Sequence, residues 1–277
     1  MLACRRFEPC VSSALGRSAA REFAMLPLPV ATGREQVPDL DRQWMENLIY
    51  EGAKDFDIQV DKRKIDKFAI HALELMKWNQ KTNLTAITDP FEVAVKHFLD
   101  SIVPVTIIPS NATLLDIGSG GGFPGIPLKI CLPSLAVTLI DASRKKVSFL
   151  KHIIRILELK NIDALHVRAE EFANKPGVEK KYNVIISRAL SSMTTFALTA
   201  LPFLEKEGVI IAMRGNVSDD DIRLLRSSIN KRHAILMDDS ADTFEISVKR
   251  YSLPYLKSDR SMVSLKYGDM NALPLQV

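Results

Sequence analysis

Apolar positions along this chain change their spacing more than once, and each change marks a different kind of element. Between residues 40 and 108 they recur at helical intervals. Leu40, Trp44, Leu48 and Ile49 form one set, and Ile65, Phe68, Ala69, Ala72, Leu73 and Met76 form another. This rhythm places an apolar stripe on one side of a helix. A third helical stretch runs from Pro90 to Val103 through Val93, Val95, Phe98, Leu99 and Ile102. Asp89 ahead of it can cap the first turn, where proline is already preorganised. Pro104 and Pro109 close the region. The spacing predicts a small helical subdomain over residues 39–108, followed by a larger domain over 109–277.

From Ala112 onward, short β-rich runs alternate with helical ones. Strands are expected at Ala112–Ile117, Ala136–Asp141, Ala164–Arg168, Tyr182–Ser187 and Gly208–Met213, with helices near 126–131, 143–158, 192–201 and 218–231. Alternation at this interval implies right-handed βαβ units and a parallel sheet covered on both faces, an α/β fold of Rossmann-like type. After residue 232 the helical signal stops. His233–Met237, Thr243–Tyr251 and Met262–Tyr267 predict strands of an antiparallel edge.

Residues 1–38 follow no periodic pattern. Arg5, Arg6, Arg17, Arg21 and Arg34 lie among serine, alanine and proline, and Ser12, Ser13, Arg17 and Ser18 interrupt any apolar core. A secretory signal needs an unbroken apolar stretch of roughly 7–15 residues, so that reading is excluded. An organelle transit peptide, a disordered tail and an extension ahead of a true start at Met25 all fit.

Composition narrows the class further. At roughly 150 residues per domain, 277 residues allow one large domain with an appendage, or two modest ones. Hydrophobic residues at 47% and charged residues at 25% exclude a largely disordered chain. Lys and Arg number 37 against 33 Asp and Glu, a net charge of +4 that tolerates a polyanionic partner without demanding one. Cys4, Cys10 and Cys131 show no C-x-x-C spacing. A disulfide framework or a zinc site is therefore not expected, and a reducing compartment is. No run approaches the ~18 apolar residues needed to cross a bilayer.

The chemistry concentrates at Leu114-Leu115-Asp116-Ile117-Gly118-Ser119-Gly120-Gly121-Gly122-Phe123-Pro124-Gly125, between the first expected strand and a helix. A parallel sheet binds ligands at that point, and glycines let the backbone turn sharply and approach them closely. Gly120-x-Gly122-x-x-Gly125 with Asp141 downstream satisfies the dinucleotide fingerprint. Asp116 ahead of the glycines instead gives the D-x-G-x-G-x-G form of S-adenosylmethionine-dependent methyltransferases. Pro124 and Pro127 crowd the helix start that a pyrophosphate would use, whereas a sulfonium ligand needs no anion cradle and an acid such as Asp116 suits its positive end. Methyl donor is the favoured ligand, with a nicotinamide-dependent oxidoreductase as the alternative. Asp141 would accept from the ribose hydroxyls or cap the following helix. Glu170 and Glu171 follow the third strand, where such methyltransferases hold the adenine edge; Ala169 could offer its backbone amide there, and Glu171 reads equally as helix-start charge. After the fourth strand, Ile186-Ser187-Arg188-Ala189 replaces the Asn/Asp-Pro-Pro-Tyr turn of exocyclic-amine methylation, and Cys131 is misplaced for carbon-5 pyrimidine chemistry. On the helix after Asp141, Val147, Leu150, Ile153, Ile154 and Leu157 make a core stripe. Arg144, Lys145, Lys146, Lys151, Arg155 and Lys160 make a solvated face that could meet phosphates.

Several dispersed words then point one way: Lys77-Trp78-Asn79-Gln80-Lys81-Thr82-Asn83-Leu84-Thr85, His97-Phe98-Leu99-Asp100-Ser101, the Asp116–Pro127 loop, Asp141-Ala142-Ser143-Arg144-Lys145-Lys146, Arg168-Ala169-Glu170-Glu171-Phe172, Ser187-Arg188-Ala189 and Met213-Arg214-Gly215. In this order they resemble the RsmG family, also called GidB, the bacterial 16S ribosomal RNA guanine-N7 methyltransferases, over residues 40 to 268. The resemblance implies a class I S-adenosylmethionine-dependent methyltransferase fold with a mostly parallel seven-stranded sheet. It implies a cytoplasmic enzyme that methylates N7 of a guanine in the 530 loop of 16S rRNA, free or in the small ribosomal subunit, with no metal and no membrane. Carried over by position, Gly118, Phe123, Ala169, Glu170 and Arg188 would hold the cofactor, joining Gly120 of the glycine loop and Asp141 in its ribose role, and Arg188 would also position the base. Asn83, His97, Asp100, Arg144, Lys145 and Arg214 are candidates for the RNA side. Two departures stand out: Arg214 replaces the usual lysine, and residues 1–38 have no counterpart. A ribosome assembly factor without catalysis is the remaining alternative.

Overall fold

The computed structural model describes residues 39–173, 181–188, 192–236, 244–256 and 258–267. The arginine-rich leader at 1–38 lies outside them. Three helical runs come first. Helix α1 spans Asp39–Lys54 and α2 spans Lys62–Thr82. The side chain of Asp61 caps α2 by accepting from the amide of Lys64 at 2.9 Å, and Asn83 ends it in a left-handed conformation at φ 46°. The third run, α3, opens with the α-turn Pro90–Glu92, where Asp89 accepts from the Glu92 amide as its spacing predicts. It continues as a seven-residue π-helix, Val93–Leu99, and closes as the turn Asp100–Ile102. Six of the seven π-helical residues are buried, so this run is enclosed on nearly every side.

The sheet has strands β1 Thr113–Ile117, β2 Ala136–Asp141, β3 Ile162–His166, β4 Tyr182–Arg188, β5 Leu204–Arg214, β6 Phe244–Ser252 and β7 Asp259–Tyr267, in the order β3-β2-β1-β4-β5-β7-β6. The pairings among the first five strands are parallel, while β7 runs antiparallel to β5 and β6 antiparallel to β7. Helices α4 Gly125–Cys131, α5 Arg144–Ile156, α6 Ala169–Ala173, α7 Met193–Ala200 and α8 Asp219–Leu236 fill the crossovers. Strand order reverses at β1, which opens a crevice beyond its carboxyl end.

Alternate residues of each strand face opposite cores. Leu114, Val184 and Ile186 join the core that also holds Phe68 and Leu75 of α2, Phe98 of α3 and Phe149 of α5. Leu115, Ile185 and Ile210 join a second core with Phe172, Phe196, Leu225 and Ile229 from α6, α7 and α8. The α5 stripe is core as expected: Val147, Leu150, Ile153 and Leu157 are buried, with Ile154 packed at the margin and Phe149 added. Among the described residues, no helix is long and apolar enough to cross a membrane.

One expected strand is a helix. His233–Leu236 continue α8, and Met237 falls outside the described residues. No glycine or proline interrupts Asp219–Leu236, so each further residue adds a helical hydrogen bond to a nucleus already formed. The antiparallel edge consists of β6 and β7.

Candidate active site

Two carboxylates shape the glycine loop after β1. The amides of Gly118 and Ser119 both donate to the carbonyl of Ile140, at 2.9 and 3.1 Å, drawing the loop across the end of β2. Gly118, Gly120 and Gly122 adopt φ of 75°, 56° and 91°, conformations that side chains rarely take. Asp116 Oδ2 accepts from the Gly125 amide at 2.9 Å, so β1 holds the first residue of α4. Asp141 Oδ2 accepts from the Gly120 amide at 3.0 Å, and its Oδ1 accepts from the Ser143 amide at 2.8 Å. Ser143, not Asp141, caps α5 by accepting from the Lys146 amide. A Cβ on Gly125 would stand 2.4 Å from Leu139 Cδ2, so only glycine lets α4 start this close to β2.

Asp116 differs from its expected role beside a sulfonium. It is fully buried beneath the loop, and its Oδ1 has no hydrogen-bond partner. Burial pushes its pKa up to about 7, against the opposing pull of the Gly125 amide and the Arg188 charge. It organises the loop from below.

Above the loop, a cavity of about 220 Å³ opens at the carboxyl ends of β1 and β2. Four of the expected cofactor residues, Gly118, Asp141, Ala169 and Glu170, line it together. Ile117, Ile140, Val167 and Phe196 supply apolar walls. A flat apolar-faced ring suits those walls, and hydroxyl donors suit the carboxylates of Asp141 and Glu170. A pyrophosphate does not: the first amide of α4 is already taken by Asp116, and both nearby acids repel it. The residues fit a nucleoside without phosphate, which weakens the nicotinamide alternative.

Gly120, Phe123 and Arg188 do not line this cavity: Gly120 gives its amide to Asp141, and Phe123 and Arg188 join a second cluster beneath the loop. Phe123 stacks between His71, at 4.9 Å and 7°, and His97, at 4.6 Å and 16°, with the Arg188 guanidinium 5.1 Å from its ring centre. Arg188 ends β4 and donates to the Lys96 carbonyl at 2.7 Å and to His97 Nδ1 at 2.8 Å. A guanidinium can only donate, so Nδ1 of His97 is the acceptor and its Nε2–H donates to Thr85 Oγ1 at 2.8 Å. Burial and the neighbouring Arg188 charge hold His97 far below the usual histidine range, so it stays neutral. Asp100 is buried, accepts from the Tyr251 hydroxyl at 2.7 Å, and lies 3.8 Å from both Arg188 and Arg260. His97 and Asp100 are thus turned inward, away from the RNA contact expected of them.

The other RNA-side candidates are dispersed. Asn83 is exposed as the left-handed cap of α2, a conformation asparagine tolerates. Arg144 and Lys145 are exposed on the first turn of α5, two and three residues beyond Ala142 of the cavity wall. Arg214 ends β5 beside β4, on the same carboxyl edge as Arg188. Sequence reasoning missed His71, Thr85, Tyr251 and Arg260. His71 did carry a signal, as a polar residue inside the α2 stripe; its Nε2 lies 2.8 Å from the Gly121 carbonyl. Tyr251 and Arg260 carried none, because β6 and β7 bring them to the site from the far end of the chain.

A family model described as rRNA small subunit methyltransferase G (GidB) matches residues 64–239. The chain belongs to this family. A GidB-family relative from Acetivibrio thermocellus, named ribosomal RNA small subunit methyltransferase G, is 43% identical over 177 residues, covering 64% of this chain and 73% of that protein. Another of the same name, from Geobacter sp. strain M21, is 37% identical over 221 residues, covering 80% and 97%. A solved structure of a putative O-methyltransferase from Klebsiella pneumoniae shares the fold at a TM-score of 0.52 and 12% identity, covering 83% of this chain and all of that one. Membership in GidB bears out the resemblance, the methyltransferase fold class and S-adenosylmethionine as methyl donor.

Proposed function

We propose that this chain transfers the methyl group of S-adenosylmethionine to N7 of a guanine in the 530 loop of 16S rRNA, free or within the small ribosomal subunit. One observation carries the reading: a cavity at the strand-order reversal, with Gly118, Asp141, Ala169 and Glu170 on its walls, in a chain of the GidB family. When bound there, the cofactor supplies an electrophilic methyl group. Guanine N7 has a free lone pair and no proton, so its attack needs no general base. The site agrees with that requirement: His97 has both ring nitrogens engaged, and Asp100 is committed to a tyrosine and two arginines. What remains for the protein is to align the reacting atoms and exclude water. N7 lies beside O6 on the major-groove edge, where an arginine donates well, and Arg188 at the end of β4 is our candidate. Exposed Arg144, Lys145, Lys151, Arg155 and Lys160 on and after α5 would meet phosphates, adding affinity without sequence information.

Incubation with radiolabelled S-adenosylmethionine and small subunits lacking the modification tests this. Label should enter the rRNA, and mass spectrometry of digested rRNA should place it on a guanine of the 530 loop. No label above a Gly118→Asp control would end the proposal. Stabilisation by S-adenosylhomocysteine but not by NAD or NADP separates it from the oxidoreductase alternative. An assembly factor without catalysis would bind subunits and leave them unlabelled.

A further inference from the structure

Arg188 poses a physical problem. Its side chain is only 15% exposed, and a guanidinium taken out of water needs compensating charge and fixed acceptors. The acceptors come from the π-helical stretch of α3. There the Asp100 amide donates to the carbonyls of Val95 and His97, not to that of Lys96 four residues back. The Lys96 carbonyl accepts from Arg188 Nη1 at 2.7 Å, while His97 Nδ1 takes Nη2 at 2.8 Å. These bonds use two of the five guanidinium donors, leaving others for a guest.

Compensating charge comes from Asp100, whose Oδ2 stands 3.8 Å from Arg188 and 3.8 Å from Arg260. Its side chain is 5% exposed and does not reach solvent partners. What holds that carboxylate is the Tyr251 hydroxyl, donating to Oδ1 at 2.7 Å across 151 residues of sequence. The Tyr251 ring is seated independently, edge-on against Phe56 at 5.9 Å and 87°. The edge hairpin β6–β7 thus reaches the end of β4 through one chain of contacts: Tyr251 and Arg260 to Asp100, and Asp100 to Arg188.

We propose that Tyr251 and Asp100 are positioning residues for the methyl transfer, holding the Arg188 guanidinium in the orientation that receives the target base. The inference rests on the proposed function and deepens it. Neither residue touches the substrate; both act through Arg188. Tyr251 orients the carboxylate, and the carboxylate with the Lys96 carbonyl and His97 sets the direction of the remaining guanidinium donors.

Tyr251→Phe removes one oxygen and leaves the ring on Phe56. Methylation of unmodified small subunits should then show kcat lower by about tenfold, the scale of one hydrogen bond to a charged group. KM for the subunit and stabilisation by S-adenosylhomocysteine should stay close to the parent protein's. In an Arg188→Lys background, which loses the fork geometry, Tyr251→Phe should cost nothing further, because coupled residues are not additive. Arg260→Gln, changing the partly exposed end of the chain of contacts, should show a smaller loss and the same non-additivity. Should Tyr251→Phe prove poorly folded, Arg260→Gln carries the test. Parental kcat in a folded Tyr251→Phe protein, or a loss fully additive with Arg188→Lys, overturns the inference while leaving the methyltransferase reading intact. An unlabelled parent protein sinks both.

Discussion

Replacing Asp116 with asparagine measures what the buried carboxyl under the glycine loop contributes to stability. Its pKa rises from an ordinary 3.8 to about 7 in the folded chain, because burial disfavours the anion more than the Gly125 amide and Arg188 favour it. The folded state therefore holds this proton more tightly than the unfolded state. The contribution is fully present below pH 4 or so, falls as pH rises to about 7, and is flat beyond. At about 1.4 kcal/mol per pKa unit, a shift of roughly three units gives about 4 kcal/mol lost across that window. Two buried histidines run the other way. His71, lowered to about 4, and His97, lowered further, are neutral when folded, so they add stability as pH rises toward the ordinary histidine value. The parent curve is a sum of opposing slopes, and only the difference between parent and variant isolates Asp116. Asparagine keeps an oxygen for the Gly125 amide but sets an NH₂ where Oδ1 has no partner, a pH-independent cost of about 1–3 kcal/mol. The variant should be the less stable protein near pH 4 and should gain on the parent steadily toward neutrality. Urea unfolding of both proteins across this range reads the difference directly. A difference that is flat, or that moves in the parent's favour with rising pH, would refute the reasoning.

Other parts of the site answer to simpler changes. Gly122→Ala places a Cβ at φ 91° and 2.5 Å from Ile126 Cδ1, so a loss of about 1–3 kcal/mol from backbone strain, with packing displacement added, should appear as a lower melting temperature. Asp141→Ala removes the acceptor for the Gly120 and Ser143 amides along with the carboxylate on the cavity wall. Calorimetry should find S-adenosylhomocysteine affinity reduced by about tenfold or more, the scale of a bond to a charged group, and an unchanged affinity would remove Asp141 from the cofactor site. Reversing Arg144 and Lys145 to glutamate should raise KM for the small subunit and lower the slope of log affinity against log salt by roughly 0.7 for each phosphate no longer neutralised, with cofactor affinity unaltered.

How far the chain could be read before folding depended on the range over which each signal acts. Strand–helix alternation is a local property, because side-chain direction repeats every two residues in a strand and every 3.6 in a helix. The parallel strands and four of their crossover helices were legible for that reason, as were the Asp89 cap and the α5 stripe; the five-residue α6, Ala169–Ala173, is too short to show a period and was not. The glycine loop was legible too, since positive φ at Gly118, Gly120 and Gly122 demands glycine whatever surrounds it. Local pattern failed where two states were close in energy. His233–Leu236 reads equally as a short strand, and an uninterrupted helix growing from Asp219 took it instead. It failed also for the π-helical form of Val93–Leu99, which no spacing announced.

Sequence alone brought Gly118, Asp141, Ala169 and Glu170 together around one cavity, because each ends or follows a strand of a parallel sheet and such strands end together. Only the tertiary structure decided that Asp116 supports the loop from beneath, that His97 and Asp100 face Arg188 and not solvent, and that Tyr251 belongs to the site at all. The roles of His97, Asp100 and Tyr251 depend on partners up to 151 residues away, on which side of a buried helix faces β4, and on the antiparallel return of β6. Burial then assigns the chemistry: the same carboxylate that would be an ordinary surface acid in an extended chain becomes, once enclosed between two arginines and a tyrosine hydroxyl, the fixed counter-charge of the site.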